Sequence, residues 1–526
     1  MSKKEIFIKN TLLMSVSAIL MRSVGVWFSV YLSGKLGEDG VGLYTLIMSI
    51  SGFCVTFATS AVGFAATRTV SEALGEKKNY KIRSCMKKCL AYAAFFGTLA
   101  CFLLLSLSRV IGVFVLKDER CVRSLRILAM SLPAIALSSA VNGYFTAVRR
   151  VSRSVAAGIT EQGIRIFSVM ALMSLFVPSD IEAACALVVT GSVTADLVST
   201  LITMCLYFAD LSSHVCKRNK EKCENSSGEL LKIALPMAVS SYIRSGLSTL
   251  EHIFIPRGLK AHGLSQKETL AAYGRVQGMA LQVILYPYAR LNPFCSLIVP
   301  EIAGRRAAGD DEGVKYVASR AISFVLTFGI GCGVIMAAFA PWFGNVVYNS
   351  RGAGQYILLL APLVPVMYLD TVADSILKGM GEQLFCMKVN IFDSLVSVFI
   401  VLWLVPVMGI RGYVIEIVFC EVVNTAISVS RLCKMIKIKT DPVKNVLVPT
   451  LSATLSVFLT QTCMRQLDRV SGESGGALFL CVAASGVIYL LLNCLLRADM
   501  KNDLKSMARM AKKYLIFEKK GDTIRP

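Results

Sequence analysis

The sequence predicts an all-α polytopic membrane protein with about fourteen transmembrane helices, arranged as two parallel six-helix repeats plus two C-terminal helices. Three observations predict this fold. The 526 residues are 55% hydrophobic and only 17% charged, whereas a soluble domain carries about 25% charged residues. Apolar runs long enough to cross a bilayer recur along almost the whole chain. Segments of the first half also resemble segments of the second.

The apolar runs are continuous and do not alternate with polar residues, which indicates helices and disfavours a β-barrel. A spanning helix needs about 20 apolar residues. The predicted spans lie at about 10–33, 41–66, 89–108, 125–147, 154–178, 181–208, 229–256, 271–299, 317–340, 355–377, 384–408, 411–432, 445–464 and 475–496.

The internal repeat is read from matching motifs. MRSVG at 21–25 parallels IRSGL at 243–247, which aligns Arg22 with Arg244. LAMSLPAIALSSAVN at 128–142 parallels LAPLVPVMYLDTVAD at 360–374, with an offset in sequence number of 232 (360 − 128 = 232). The same offset carries Glu161 onto Asp393. Transporters built from two such repeats place substrate between them, near the bilayer midplane.

The repeat and the polar connections predict the domain organisation. The polar segment KRNKEKCENSSGE is typical of a linker between two halves, and the end of the chain is basic. The predicted parts are an N-lobe at 1–208, a cytoplasmic linker at 209–228, a C-lobe at 229–440, two further helices within 441–496 and a basic cytoplasmic tail at 497–526.

The net charge of +22 is distributed unevenly. With the N-terminus placed in the cytoplasm, 38 of the 56 Lys and Arg residues fall in cytoplasmic segments, 13 in outer loops and 5 within spans. This bias follows the positive-inside rule and predicts a multi-pass protein of the cytoplasmic membrane with both termini in the cytoplasm. Since no domain that combines basic and aromatic residues exists outside the spans, the sequence predicts no nucleic-acid partner.

Arginines within spans are the first candidates for a functional site. Arg22 and Arg244 lie near the centres of matching spans, where a charge costs about 2.5–3.5 kcal/mol. Guanidinium stays charged when buried, and its planar fork matches phosphate oxygens. We therefore expect a cationic substrate cavity, and the full predicted substrate-binding set is Arg22, Arg244, Arg290, Arg165, Tyr286 and Asn292.

Intramembrane acids are the second group of candidates. Glu161 and Arg165 stand four residues apart, so a helix places them on one face. A structural ion pair is one interpretation of this spacing, and a charged group lining a cavity is the other. The residues predicted to bind a monovalent coupling ion are Glu161, Asp393 and Asp196.

Signatures of soluble enzymes are absent from the sequence. It contains no GxxxxGK[ST] phosphate loop, no HExxH and no GxSxG, so no catalytic residue and no cofactor are predicted. The 17 cysteines are scattered, mostly within apolar runs, which favours buried thiols over disulfides. His214, Cys216 and Cys223 lack a fourth ligand at zinc spacing, and no metal site is predicted.

Four segments resemble a known family: LGEDGVGLYTLIMSISGF at 36–53, RTVSEALGEKKN at 68–79, NGYFTAVRRVSRSVAAGITEQGIRI at 142–166 and ILKGMGEQ at 376–383. The chain resembles the MOP exporter superfamily of multidrug, oligosaccharidyl-lipid and polysaccharide exporters. Within it, the chain is similar to the stage V sporulation protein B family of polysaccharide flippases, which is related to the lipid II flippases. The resemblance implies two six-helix lobes in a V shape, with cavity arginines carried over only to Arg22 and Arg244.

The expected function is a membrane flippase that translocates a polyprenyl-linked sugar precursor of peptidoglycan or another polysaccharide. The implied partners are a lipid-linked oligosaccharide or lipid II-like substrate, membrane lipids and a monovalent ion. Two alternatives stay open at this point. One is an ion-coupled multidrug exporter of the same superfamily, and the other is a non-transporting membrane scaffold for cell-wall or spore assembly.

Overall fold

The computed structural model describes residues 3–75, 79–148, 150–214, 227–436, 441–467 and 475–496. Every regular element in these ranges is a helix, and no strand occurs among them, which confirms the predicted all-α class. The predicted basic tail at 497–526 and most of the predicted linker, 215–226, lie outside the described residues.

Eighteen α-helices account for most of the described chain. The first nine are α1 (Lys3–Thr59), α2 (Val62–Gly75), α3 (Asn79–Val110), α4 (Cys121–Ala129), α5 (Leu132–Ala147), α6 (Val151–Leu175), α7 (Ile181–His214), α8 (Ser227–Ala261) and α9 (Gln266–Tyr273). The other nine are α10 (Leu281–Ile284), α11 (Leu291–Ala307), α12 (Asp311–Trp342), α13 (Arg351–Leu360), α14 (Val364–Gly379), α15 (Gln383–Met408), α16 (Ile410–Ile436), α17 (Val448–Leu467) and α18 (Gly475–Leu496).

The first predicted span and most of the second fall within α1, whose 57 residues form two helices joined across a kink at Gly37. At 1.5 Å per residue, 57 helical residues amount to about 85 Å, which is enough for two crossings of the roughly 30 Å hydrocarbon core of a bilayer. The chain bends at Gly37, which has φ 70° and ψ 179°, a conformation that is open to glycine and costly for other residues. Gly37 therefore lies where the sequence predicts the connection between spans 10–33 and 41–66.

The apolar helices of the described residues bear on the predicted number of membrane spans. In the described residues ten helical segments are long and apolar enough to span, or eleven if the bent pair α4–α5 counts as one span. The expected total of about fourteen is not confirmed. Helices α1 and α2 form one long segment in this count, and α8 carries Arg244, Glu251 and Arg257. Predicted span 271–299 is broken by a π-helical turn and by the 3-10 turn at Pro287–Arg290.

The helix boundaries agree with the predicted repeat from α3 to the start of α6 and from α12 to the start of α15. The first residue numbers of α12 and α3 differ by 232 (311 − 79 = 232), and so do their last residue numbers (342 − 110 = 232). The same offset relates both ends of α14 to those of α5, and the start of α15 to that of α6. It also relates the π-helical turns Ile111–Val115 and Phe343–Val347. Two copies of one helical unit thus run through the chain.

Close helix contacts repeat along with the boundaries. A Cβ atom on Gly97 of α3 would lie 2.8 Å from Pro133 Cα of α5. A Cβ atom on Gly329 of α12 would also lie 2.8 Å from Pro365 Cα of α14. Real Cβ atoms essentially never approach another atom this closely, so each glycine allows its helix to approach a proline backbone. The two repeats therefore share this close contact between helices as well as the lengths of their helices.

Packing of the backbone divides the chain into two compact units. Among the described residues, the N-unit contains those of Lys9–Phe28 and Asp39–Ala271, and the C-unit contains those before Lys9, those of Ser29–Glu38 and those from Ala272 onward. These units are defined by packing, whereas the predicted lobes are defined by the sequence repeat. The lobe boundaries remain a prediction.

Helix α8 follows the predicted linker in sequence but packs within the N-unit. The Tyr242 hydroxyl is hydrogen-bonded to Ser60, and its ring centroid lies 5.4 Å from that of Phe57. Thr249 Oγ1 donates to the carbonyl oxygen of Ser49 at 3.3 Å. Aromatic and polar contacts along its length therefore hold α8 against α1.

A buried carboxylate strengthens the connection beyond the end of α8. Asp118, whose side chain is 4% exposed, accepts hydrogen bonds from Arg120 Nη2 at 2.6 Å and from Gln266 Nε2 at 2.9 Å. Burial alone would raise the pKa of Asp118, but these hydrogen bonds outweigh burial and lower the pKa below its ordinary value. Arg257 Nη2 donates to the carbonyl oxygen of Phe114 at 2.8 Å nearby.

The two C-terminal helices pack on α12 within the C-unit. Tyr489 of α18 donates to the carbonyl oxygen of Thr327 at 2.5 Å, and its ring fills the space above Gly331. Before α17 begins, Asn445 Oδ1 accepts from Ser323 Oγ at 2.8 Å. The additional helices are thus part of the C-unit.

Candidate functional site

An ion cluster joins α6 and α7 in the N-unit. Arg165 Nη2 lies 2.8 Å from Glu161 Oε1 and 3.0 Å from Asp196 Oδ1. Ser199 Oγ donates to the second oxygen of Glu161 at 3.2 Å. The three charged side chains are 27%, 33% and 13% exposed in the order Arg165, Glu161, Asp196. We call these three residues the Arg165 cluster, which carries one positive and two negative charges.

Close packing of α6 against α7 makes this geometry possible. A Cβ atom on Gly191 of α7 would lie 2.9 Å from the backbone nitrogen of Val169 of α6. The missing side chain lets the two backbones approach. Arg165, one turn before Val169, can therefore reach Asp196 on the neighbouring helix as well as Glu161 on its own.

Tyr44 of α1 is a further neighbour of the Arg165 cluster. Its hydroxyl lies close to the side chain of Ser192, and it lies within electrostatic range of Arg165 and Asp196. Arg165 Nη1 also donates to Gln162 Oε1 at 3.3 Å. Helices α1, α6 and α7 thus all contribute polar groups to one place.

A second cluster, in the C-unit, consists of four acidic residues. It contains Asp370 and Asp374 of α14, Asp393 of α15 and Glu421 of α16. Asp370 lies within electrostatic range of Asp374 and Asp393, and Glu421 lies within range of Asp370 and Asp393. We call these four residues the Asp370 cluster.

Few groups in the described residues neutralise the Asp370 cluster. Lys378 Nζ lies 3.1 Å from Asp374 Oδ2, and Asn424 Nδ2 donates to Asp370 Oδ2 at 3.0 Å. The hydroxyl of Ser428 also lies near Asp370, but Asp370 Oδ1 and Asn424 Oδ1 are buried and have no well-aligned donor among the described residues. Two buried acceptors of this kind can accept a proton, a small cation or a water molecule.

The repeat offset relates the two clusters and shows how they differ. The numbers of Asp393 and Glu161 differ by the repeat offset (393 − 161 = 232), as the sequence predicts. The same offset carries Arg165 onto Ser397, which is neutral. The acid of the N-unit therefore has an arginine partner one turn away, and the matching acid of the C-unit does not.

The remaining predicted site residues are spread over several helices. Arg22 is half-buried on α1 and Arg244 is exposed on α8, and packing assigns both to the N-unit. Tyr286 is half-buried next to the 3-10 turn before α11 in the C-unit. The backbones of Arg290 and Asn292 are helical, but their side chains lie outside the described part.

No group of three or more His, Cys, Asp or Glu side chains in the described residues has the geometry to hold a metal ion. Cys216, Cys223 and the side chain of His214, considered as ligands from the sequence, lie outside the described residues.

Sequence reasoning missed two features of these sites. Tyr44 carries no local signal, because only the fold brings α1 beside α6 and α7. Asp370 and Glu421 are recognisable as intramembrane acids, but their convergence with Asp393 depends on three different helices. Aligning the two repeats position by position shows that Ser397 occupies the position of Arg165, so the second repeat lacks the arginine.

Comparison with known proteins agrees with the resemblance read from the motifs. Residues 7–299 match the family described as polysaccharide biosynthesis protein. Stage V sporulation protein B of Bacillus subtilis (strain 168) is 23% identical over 507 residues, which cover 95% of this chain and 98% of that protein. Sporulation protein YkvU of the same organism is 20% identical over 443 residues, covering 82% and 96%.

Solved structures share the fold. The lipid II flippase MurJ in an inward closed conformation superposes with a TM-score of 0.70 at 13% identity, covering 93% of this chain and 99% of that one. An inward-facing multidrug resistance MATE family transporter of the MOP superfamily gives a TM-score of 0.64 at 16% identity, covering 81% and 98%. The family match extends over more than half of the sequence, and the chain belongs to the polysaccharide biosynthesis protein family.

Proposed function

We propose that this protein is a flippase of the cytoplasmic membrane that translocates a polyprenyl-linked sugar precursor by alternating access. The precursor is an intermediate of peptidoglycan or of another polysaccharide. Both termini lie in the cytoplasm, and the polyprenyl tail stays in lipid while the polar head crosses.

The observation that carries this proposal is the extent of the structural likeness to the lipid II flippase. That structure covers 93% of the chain, whereas the MATE transporter covers 81%. The nearly full-length relation to stage V sporulation protein B supports the same class. A fold alone does not fix a substrate, so the charged residues have to account for the chemistry.

The proposed substrate contacts are the arginines of the spanning helices. A sugar diphosphate is anionic, and an arginine fork binds phosphate oxygens in bidentate fashion. Arg22, Arg244 and Arg290 are the proposed phosphate ligands, with Tyr286 and Asn292 as polar neighbours. Arg165 belongs to this set only if substrate competes with Glu161 and Asp196 for its guanidinium, because both carboxylates already contact it.

The test measures outer exposure of a labelled lipid-linked disaccharide precursor in cells depleted of their own flippases. Wild type, Arg22→Ala and Arg244→Ala are compared at matched membrane levels. Arg68→Ala is the control, because Arg68 forms an exposed ion pair with Glu72 on α2. Wild type and the control should restore exposure and the two arginine variants should not. If wild type fails to restore outer exposure, the proposal that the substrate is a peptidoglycan precursor is wrong.

We further propose that Asp393, within the Asp370 cluster, binds a monovalent coupling ion. The excess of carboxylates and the two buried acceptors without well-aligned donors in the described residues support this assignment. Glu161 and Asp196 are weaker candidates, because Arg165 already compensates their charge. Asp393→Asn should abolish the dependence of transport on the ion gradient, and Asp196→Asn should leave it in place. The opposite pattern would assign the binding site of the coupling ion to the Arg165 cluster.

An ion-coupled multidrug exporter is the second candidate, because MATE transporters share the fold. It predicts drug resistance that survives Arg22→Ala and is lost in Asp393→Asn. A non-transporting scaffold for cell-wall or spore assembly is the third. It predicts a cellular phenotype that survives loss of every intramembrane charge, provided that the protein still folds and localises.

A further inference from the structure

A group of arginines surrounds one buried carboxylate at the end of the N-unit where α6 begins and α7 ends. Arg150 and Arg153 both form ion pairs with Asp210, and the distance from Arg153 Nη1 to Asp210 Oδ1 is 2.6 Å. Asp210 is only 1% exposed. Tyr144 donates to its other oxygen, Oδ2, at 2.9 Å. The buried carboxylate of Asp210 therefore holds the guanidinium groups of Arg150 and Arg153 in fixed positions.

Both guanidinium groups remain accessible from outside. The side chains of Arg150 and Arg153 are 32% and 33% exposed. Arg153 is held further by the ring of Phe145, whose centroid lies 6.0 Å from Cζ. Planar groups held in place by a buried anchor lose little freedom when they bind an anion.

A third arginine extends the positive surface. Arg83 of α3 is exposed and lies within electrostatic range of Tyr207 of α7. The ring centroid of Tyr207 lies 5.1 Å from that of Tyr144, which donates to Asp210, so Tyr207 lies near both Arg83 and the residues that anchor the arginine pair. Arg83 has no carboxylate partner among the described residues. Two guanidinium groups thus pair with Asp210, and a third, that of Arg83, lies within electrostatic range of the adjacent Tyr207.

The matching end of the C-unit has a different arrangement of ion pairs. There, Glu382 occupies the position of Arg150 (382 − 150 = 232) and pairs with Arg431 at 3.0 Å. Lys315 occupies the position of Arg83 and has Glu312 as a partner at 3.9 Å. In the described residues each of these two carboxylates pairs with one basic side chain, whereas Asp210 has two arginine partners.

We propose that Arg83, Arg150 and Arg153 form a binding site for the phosphate of an anionic membrane lipid. The site lies at the ends of spanning segments Ile82–Val115 and Ser152–Leu175, the depth at which lipid headgroups lie. Arginine is the residue best suited to a phosphate, and basic residues at this depth attract anionic lipid. The inference does not depend on what the protein transports.

The surroundings favour a lipid over free phosphate. Phe208 follows Tyr207 on α7 and is 60% exposed, and Leu201 on the same helix is 66% exposed. These exposed apolar side chains on the helix that carries Asp210 can contact acyl chains, which a free phosphate ion lacks. The arginines would thus bind the lipid headgroup, and the exposed apolar side chains of α7 would contact its acyl chains.

The test uses the full-length protein purified in detergent and measures the Kd for labelled phosphatidylglycerol, with phosphatidylcholine as the neutral comparison. Arg83→Gln and Arg153→Gln should each weaken binding about five-fold, since one basic residue near an anionic headgroup contributes about 1 kcal/mol. Lys315→Gln, at the matching position of the C-unit, should bind like wild type. Inorganic phosphate at millimolar concentration should not compete.

Several results would overturn the proposal. Wild-type affinity in both arginine variants, or equal affinity for phosphatidylcholine, would show that these guanidinium groups bind no lipid phosphate. Full competition by inorganic phosphate would make the site a free-anion site. Arg83→Gln removes no ion pair seen in the described residues, so misfolding does not explain a loss of binding in that variant.

Discussion

Replacement of Arg165 by glutamine is the sharpest test of the Arg165 cluster. The change removes a guanidinium that lies 2.8 Å from Glu161 and 3.0 Å from Asp196, and it leaves two carboxylates facing each other. Removing one partner of a fully buried ion pair costs about 3–5 kcal/mol. Because these side chains are 13–33% exposed, water screens part of this cost. We therefore expect the free energy of unfolding to fall by about 2–3 kcal/mol.

The matched control is Arg68→Gln on α2. Arg68 pairs with Glu72 at 2.9 Å with the same spacing of four residues, but both side chains are more than half exposed. Exposed pairs of this kind contribute about 0.3–0.5 kcal/mol. Since geometry and spacing are nearly the same, burial and the second carboxylate account for the difference expected between the two variants.

The measurement is reversible unfolding in detergent micelles, followed by tryptophan fluorescence. A double-mutant cycle with Asp196→Asn should give a coupling of about 1–3 kcal/mol between positions 165 and 196. The triple variant Arg165→Gln, Glu161→Gln, Asp196→Asn should recover most of the loss, because no unpaired charge remains. Additive single variants, or a loss no larger than in the Arg68 control, would refute the reasoning.

The remaining predictions concern packing and buried polar groups, and thermal unfolding of the purified protein measures each of them. Gly329→Val should destabilise by about 1–3 kcal/mol, because its Cβ would overlap Pro365, whereas Gly486→Val, with open surroundings, should change little. Asp118→Asn should lower Tm at pH 7, and the difference from wild type should shrink as the pH falls through the lowered pKa of Asp118, since protonation of the wild-type carboxyl removes the same charge. Tyr144→Phe should cost about 1–3 kcal/mol, because a buried carboxylate oxygen loses a hydrogen-bond donor; an unchanged Tm would contradict this.

Much of the fold can be predicted from the sequence because membrane helices and repeats leave local signals. Apolar length predicts the helices, and the motif around Pro133 and Pro365 gives the offset that the helix boundaries then show. The count of spans is less predictable. The two helices of α1 meet at a kink at Gly37 without a longer loop, and the segment Gly274–Arg290 is broken into π-helical, α-helical and 3-10 turns where apolar length alone predicts one helix.

The sites are predictable only within one helix. The spacing of Glu161 and Arg165 predicts their ion pair, because both lie on α6. Asp196 as the second partner of Arg165 depends on the approach of α7 at Gly191, and the contribution of Tyr44 depends on the position of α1. Contacts between distant parts of the chain have no signature in a single sequence.

The packing of α8 within the N-unit has a consequence for biosynthesis. When a ribosome has released residues 1–208, the chain still lacks Tyr242, Thr249 and Arg257, which complete contacts of the N-unit. The whole segment 209–271 must follow before Ala271, the last residue of that unit, emerges. At roughly 5–20 residues per second this takes about 3–13 seconds. During that interval the insertion machinery or lipid has to cover the face of α1 that α8 later occupies.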